Sequence, residues 1–360
     1  MAEKLKDKFF TEKSIDEFAN TIKKFYTKFN KKKFVELIYD DEWAQKELME
    51  RMRHTTRCLR ETLPDDYSKA LDVLLEAAPL VKGCEAITLP DYVEQYGMQN
   101  WEESLPALGF FTKYSSSEFA IRPYLDQQPE RVMEVMSGWA EDEDDKVRRF
   151  ASEGCRPRLP WATALPKFKG DPSPILPVLE KLKNDESEFV RRSVANNLND
   201  ISKDHPDTAL EICERWYGDS KETDWIVKHA CRTLLKGGNK RALKLFGYHD
   251  PSTMQVVDLT LDEQTVAIGS DLHFAFSLLV EGDEARKIRL EYGIDFVKSS
   301  GKRSRKVFKI TENDYEPGTH AFKRKQTFMD MSTRKHFAGT HSVAIIVNGE
   351  EKASASFEVQ

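Results

Sequence analysis

One pattern recurs along the middle of the chain: Val147-Arg148-Arg149 returns as Val190-Arg191-Arg192 at a spacing of 43 and, more loosely, as Val227-Lys228-His229 at a spacing of 37. Periods of this size belong to helical repeats of the HEAT or armadillo kind, in which each helix pair hides its apolar face only by stacking on its neighbours. A chain built this way is constrained column by column, because equivalent positions in successive units face the same way.

The columns are basic. Arg149 aligns with Arg192 and His229, Arg148 with Arg191 and Lys228, and Glu153 with Asn196 and Thr233. At the helical period, Arg149, Glu153 and Arg156 share one stripe while Val147, Phe150 and Ala151 lie opposite. In the second copy Arg192, Asn196 and Asn199 form the polar stripe and Val190, Val194, Leu198 and Ile201 the apolar one. Stacked units would then present a ladder of cations and amides. An ordinary solvated pair between Arg149 and Glu153 is the plainer alternative for any single copy.

At 360 residues, 39% hydrophobic and 32% charged, the chain has the length of two domains and the composition of a globular protein. Up to about residue 250 the pattern is helical, with expected helices near 43–63, 66–81, 129–139, 174–183 and 206–217, and a capping box at Ser14-Ile15-Asp16-Glu17. Past Gly247-Tyr248-His249-Asp250-Pro251 the period becomes two, as in Leu272, Phe274, Phe276 and Leu278. About seven such segments, with turns at Asn348-Gly349 and Pro317-Gly318, describe an immunoglobulin-like sandwich lacking a disulfide. The expected fold is mostly α: a HEAT-like solenoid over 1–250 followed by an all-β sandwich over 254–360.

Neither an apolar leader at the amino terminus nor a run long enough to span a membrane is present, and the five scattered cysteines fit a reducing cytoplasm, where they act as small core hydrophobes. Net charge is -6, yet basic residues cluster locally, and the local field steers a ligand. No cofactor motif or metal-ligand spacing is apparent.

Glu118 precedes Glu153 by 35 residues, close to one repeat, so two adjacent units can aim two carboxylates at one spot. Paired carboxylates suit cleavage of an N-glycosidic bond, whose oxocarbenium-like transition state carries positive charge at the sugar. An alkylated base is already cationic and leaves without a general acid. Trp161, bounded by Pro160, offers a π face for such a cation, although from its residue type alone packing against the next helix is the plainer expectation.

The runs Ser117-Glu118-Phe119-Ala120-Ile121-Arg122-Pro123, Val147 through Trp161, Ser193 through Lys203 and Trp225 through Ala230 resemble the HEAT-like-repeat DNA alkylation repair glycosylases, in their AlkC branch. The sandwich resembles the immunoglobulin-like domain that some AlkC proteins append. The resemblance implies excision of 3-methyladenine and 3-methylcytosine from duplex DNA without base flipping; a monomer acting without a cofactor is expected. It implies Glu118 and Glu153 as catalytic carboxylates and Trp161 as the aromatic at the lesion. Arg149, Arg156, Arg192 and Lys228 would hold phosphates, and Arg148, Arg158, Arg191 and Asn196 are also expected to bind DNA. Lys302, Arg303, Arg305 and Lys306 would form a second clamp or, alternatively, a solvated hairpin. A non-catalytic repeat scaffold and a binder of alkylated DNA without turnover are the competing readings.

Overall fold

The computed structural model describes residues 8–331 and 334–360, and the chain divides into two compact units, one ending at Ala230 and the other running from Cys231 to Gln360. The first unit is helical throughout. Its helices are α1 (Glu12–Phe25), α2 (Lys31–Ile38), α3 (Leu48–Arg60), α4 (Tyr67–Ala77), α5 (Thr88–Tyr96), α6 (Trp101–Phe111) and α7 (Arg122–Gln127). These continue as α8 (Pro129–Trp139), α9 (Asp145–Gly154), α10 (Pro166–Gly170), α11 (Leu176–Leu182), α12 (Glu188–Ile201), α13 (Pro206–Trp216) and α14 (Lys221–Ala230).

The recurring pattern falls on α9, α12 and α14, and these stack in order, α9 on α12 and α12 on α14. Their apolar stripes are buried as the spacing requires: Val147, Phe150 and Ala151 on α9, Val190, Val194, Leu198 and Ile201 on α12, Ile226, Val227 and Ala230 on α14. Each such aliphatic side chain contributes roughly 1.5–3 kcal/mol on burial. The start of α1 differs from expectation. Thr11, three residues before Ser14, is the N-cap and accepts the Ser14 amide at 3.2 Å, so Ser14 sits inside the first turn. A small residue is required where α9 ends, since a Cβ on Gly154 would lie 2.9 Å from Met136 Cε and 3.0 Å from Ile121 Cγ2.

Among the described residues, the second unit opens with two short helices, α15 (Arg232–Lys236) and α16 (Lys240–Leu245), followed by eight strands. The residues between Ala230 and Asp250 thus group with the sandwich by contact, although their helical period continues that of the repeats. Strands β1 (Met254–Leu261), β3 (Asp271–Val280) and β6 (Gly318–Thr327) make one sheet in the order β1-β3-β6. The other runs β2-β8-β7-β4-β5, from β2 (Thr265–Val266), β8 (Glu350–Val359), β7 (Gly339–Val347), β4 (Arg286–Val297) and β5 (Arg303–Tyr315). Alternating residues Leu272, Phe274, Phe276, Leu278 and Val280 face Ile288, Leu290, Val343, Ile345, Val347 and Phe357 in one core. The Asn348-Gly349 turn has positive φ at both residues, 45° and 80°, as a two-residue hairpin of primed type demands. Gly349 has a second constraint: a Cβ there would lie 2.3 Å from Gly238 Cα, so the helical segment approaches the hairpin backbone to backbone.

Candidate active site

Glu118 lies in the turn before α7, and Glu153 in the last turn of α9; both are buried. One guanidinium joins them. Arg149 Nη1 is 3.3 Å from Glu118 Oε1, and its Nη2 is 3.5 Å from Glu153 Oε1. Arg149 also donates to Ser116 Oγ at 3.3 Å, the Ser116 hydroxyl donates to Glu118 Oε2, and the Phe189 ring lies under the guanidinium at 4.9 Å. The convergence of two carboxylates from neighbouring repeats is therefore present in the structure.

Glu153 is held more firmly than Glu118. Its Oε1 accepts from Arg156 Nη1 at 2.7 Å and its Oε2 from Ser193 Oγ at 2.6 Å. Arg156 in turn donates through Nε to Asp200 Oδ2 at 2.9 Å.

The chain leaving α9 is pinned by Arg122. This buried side chain donates through Nε to the Thr163 carbonyl at 2.6 Å and through Nη1 to the carbonyls of Gly154 and Arg156 at 3.2 and 3.1 Å. Burial pushes its pKa down to about 10, which still leaves a cation at neutral pH. The loop so anchored presents Trp161, which is 78% exposed and adopts a positive φ of 64°. Packing against the next helix is thereby overturned for Trp161. A bulky residue held in the left-handed region is strained, and such strain persists only where the surroundings impose it.

Glu118, Glu153 and Trp161 line a single cavity of about 450 Å³, together with Phe9, Met49, Met52, Phe119 and Arg156. Trp161, Phe119, Met49 and Met52 also line a neighbouring cavity of about 460 Å³. Among the described residues no group of three or more His, Cys, Asp or Glu side chains is arranged to hold a metal ion. Cys155 is fully buried, and burial pushes its thiol up to about 12, which removes it as a nucleophile.

Several arginines expected at phosphates point inward instead. Arg148 forms a two-pronged pair with Asp185 at 2.6 and 3.0 Å and donates to the carbonyls of Asp142 and Glu143, both at 2.9 Å. Arg191 repeats the second half of this, donating to the carbonyls of Asp185 and Glu186 at 2.8 Å. Arg156, 7% exposed, is enclosed between Glu153 and Asp200. For these three the expected ladder gives way to internal bonding: Arg148 and Arg191, in the first turns of their helices, find loop carbonyls nearer than any solvent-side anion, and Arg156, just past the end of α9, finds the carboxylates of Glu153 and Asp200.

Arg192 stays exposed and pairs with Glu188, Arg158 pairs with Asp204 at 2.6 Å on the surface, and Asn196 Oδ1 meets His229 Nε2 at 3.2 Å. Lys228 lies on α14 beside His229. In the sandwich, Lys302 and Arg303 are exposed, but Arg305 is drawn onto Asp295 at 2.9 and 2.7 Å and onto Glu351 at 2.6 Å, and these partners raise its pKa. Arg305 therefore leaves the expected clamp. Arg122, Ser193 and Asp200 are the participants that sequence reasoning missed; each acts across 30 to 45 residues of chain, for which no local spacing exists.

Residues 114–234 match the family described as "DNA alkylation repair enzyme", and residues 255–360 match "Uncharacterised protein YhaZ, C-terminal Ig-like domain". Two near-full-length matches settle membership: the chain belongs to the DNA alkylation repair enzymes of AlkC type, with an appended immunoglobulin-like domain. It is 37% identical, with a TM-score of 0.94, to "Pseudomonas fluorescens alkylpurine DNA glycosylase AlkC bound to DNA containing an abasic site analog", covering 99% of this chain and 100% of that one. It is 48% identical to "Uncharacterized protein YhaZ" of Bacillus subtilis (strain 168) over 97% of this chain and 98% of that protein. No helix of the described residues is long and apolar enough to cross a membrane.

Proposed function

We propose that this protein is a monofunctional DNA glycosylase of base excision repair, hydrolysing the N-glycosidic bond of N3-alkylated bases, 3-methyladenine and 3-methylcytosine, in duplex DNA. The observation that carries this reading is the pair Glu118 and Glu153, buried, bridged by Arg149 and opening on a cavity that Trp161 also lines. As the bond from C1′ to the base lengthens, positive charge grows on the sugar, and two fixed carboxylates stabilise it. The base departs with the bonding pair, which neutralises the positive charge it already carried. Water adds to C1′, with a carboxylate orienting it and taking its proton. Arg149 keeps the two carboxylates together, since two like charges in a partly dry site repel.

A glycosylase that also cuts the strand needs an amine to attack C1′, and no lysine is among the described residues lining the cavity. Trp161 provides a face for the cationic base or its neighbour within the stack, which is consistent with action on the lesion without drawing it into an enclosed pocket. Arg149, expected at a phosphate, is taken up by the two carboxylates; Arg158, Arg192, Asn196, Lys228, Lys302 and Arg303 remain the groups proposed to face DNA, and the protein is proposed to act as a cytoplasmic monomer. Release of 3-methyladenine from methylated duplex under single-turnover conditions tests this. Glu118→Gln and Glu153→Gln should each lose at least about 100-fold in rate. Unchanged rates in both would remove catalysis at this site and leave a binder of damaged DNA.

A further inference from the structure

Five charged side chains form one chain of contacts across the site: Glu118, Arg149, Glu153, Arg156 and Asp200. Three are carboxylates and two are guanidiniums. The proposed function uses Glu118 and Glu153 and leaves Asp200 unexplained. Asp200 is 1% exposed, lines neither cavity beside Trp161 and cannot touch a substrate there. Yet it accepts from both Arg156 Nε and Arg156 Nη2 at 2.9 Å, and from Lys203 Nζ at 2.9 Å on its other oxygen.

We infer that Asp200 and Ser193 are positioning residues that fix Glu153 and keep its negative charge available to the reacting sugar. This rests on the glycosylase reading above. Arg156 contacts both Asp200 and Glu153, and a guanidinium shared between two carboxylates neutralises neither completely. Were Asp200 neutral, the charge of Arg156 would fall on Glu153 alone, whose Oε1 Arg149 also approaches. The field of Glu153 at the cavity would then be largely cancelled, which removes what an oxocarbenium ion needs. Ser193 acts on the second oxygen. Its hydroxyl has one proton and two acceptors in reach, Glu153 Oε2 at 2.6 Å and Ser152 Oγ at 3.0 Å, and the shorter contact is to the charged one. A glutamate has three rotatable bonds; with Arg156 on Oε1 and Ser193 on Oε2, Glu153 is ordered before the substrate arrives.

The test is a mutant cycle read by two assays: single-turnover release of 3-methyladenine, and affinity for a duplex carrying an abasic-site analogue. Asp200→Asn and Ser193→Ala should each lower the rate about 10- to 100-fold while affinity stays within about twofold, because neither residue reaches DNA. In the Glu153→Gln background, Asp200→Asn should cause no further loss, since its effect passes through Glu153. A role in stability alone would instead lower rate and affinity together, or lower the rate equally in both backgrounds, and either result overturns the inference. If Asp200→Asn fails to fold, Ser193→Ala and its own Glu153→Gln double variant decide the question. Near wild-type rates in Asp200→Asn and Ser193→Ala with Glu153→Gln inactive would sink this inference alone. An active Glu153→Gln would sink this inference, and if Glu118→Gln were active as well the glycosylase site would fall with it.

Discussion

Helices α9 and α12 carry the same pattern one repeat apart and put it to different use. Arg148 and Arg191 behave alike: each folds back on the carbonyls of the turn before its own helix. Arg149 and Arg192 do not. Arg149, 17% exposed, bridges Glu118 and Glu153, whereas Arg192, 60% exposed, finds only Glu188 on its own helix. The difference is traceable to one column, where α9 has Glu153 and α12 has Asn196. A repeat fixes the direction of a side chain; the residues it meets there, on its own helix and on the neighbouring one, decide whether it builds a site or solvates a surface.

The largest effect that could break this comparison is at Arg149. Arg149→Met leaves two carboxylates without their common cation and should cost about 3 kcal/mol in urea unfolding, besides abolishing base release, whereas Arg192→Met should stay within about 0.5 kcal/mol. Equal losses would show that register, not neighbours, sets the role. Next, Arg148→Ala should cost about 2–3 kcal/mol and Arg191→Ala about 1 kcal/mol by the same measurement, because only Arg148 adds the two-pronged pair with half-buried Asp185. Matching values would mean that the loop carbonyls, not Asp185, dominate.

Beyond α9 the chain runs into Trp161, while the position 43 residues on, past α12, is Asp204, the partner of Arg158. Trp161→Gly relieves a positive φ and should raise stability by up to about 1 kcal/mol, yet weaken binding to an abasic-analogue duplex about tenfold. Destabilisation instead would reveal packing that its exposure conceals.

The smallest effect concerns Cys155, which occupies the column of Leu198 and should likewise behave as core. A thiol reagent at about pH 8 should leave it unmodified in the folded protein. Burial holds its thiol proton up to about 12, while the unfolded chain releases it near the ordinary 9.0, so its contribution to stability falls as pH rises across that window.

Much of this was legible in the residues. Val147 and Ala151 recur as Val190 and Val194 at helical spacing, and period alone places them in the core. Phe274 and Phe276 alternate, and alternation alone makes a sheet face. Glu118 and Glu153, one repeat apart, are brought to one guanidinium as their spacing allows. What failed was the assumption that a polar stripe is a wet one: Arg156 and Glu153 lie on the stripe and are nonetheless buried, since the next helix covers them with Ser193 and Asp200. The exposure of Trp161 was likewise out of reach, because it depends on Arg122 pinning the loop from a helix about forty residues upstream.

The amino-acid order by itself determined the two architectures, the stacking of the three patterned helices and the identity of the paired carboxylates, because hydrophobic period and repeat length act locally and propagate. Which arginines serve the fold and which serve the site was decided only in three dimensions. A guanidinium carries the same charge at every position, and its role follows from whichever acceptors the neighbouring layer places within about 3 Å of it.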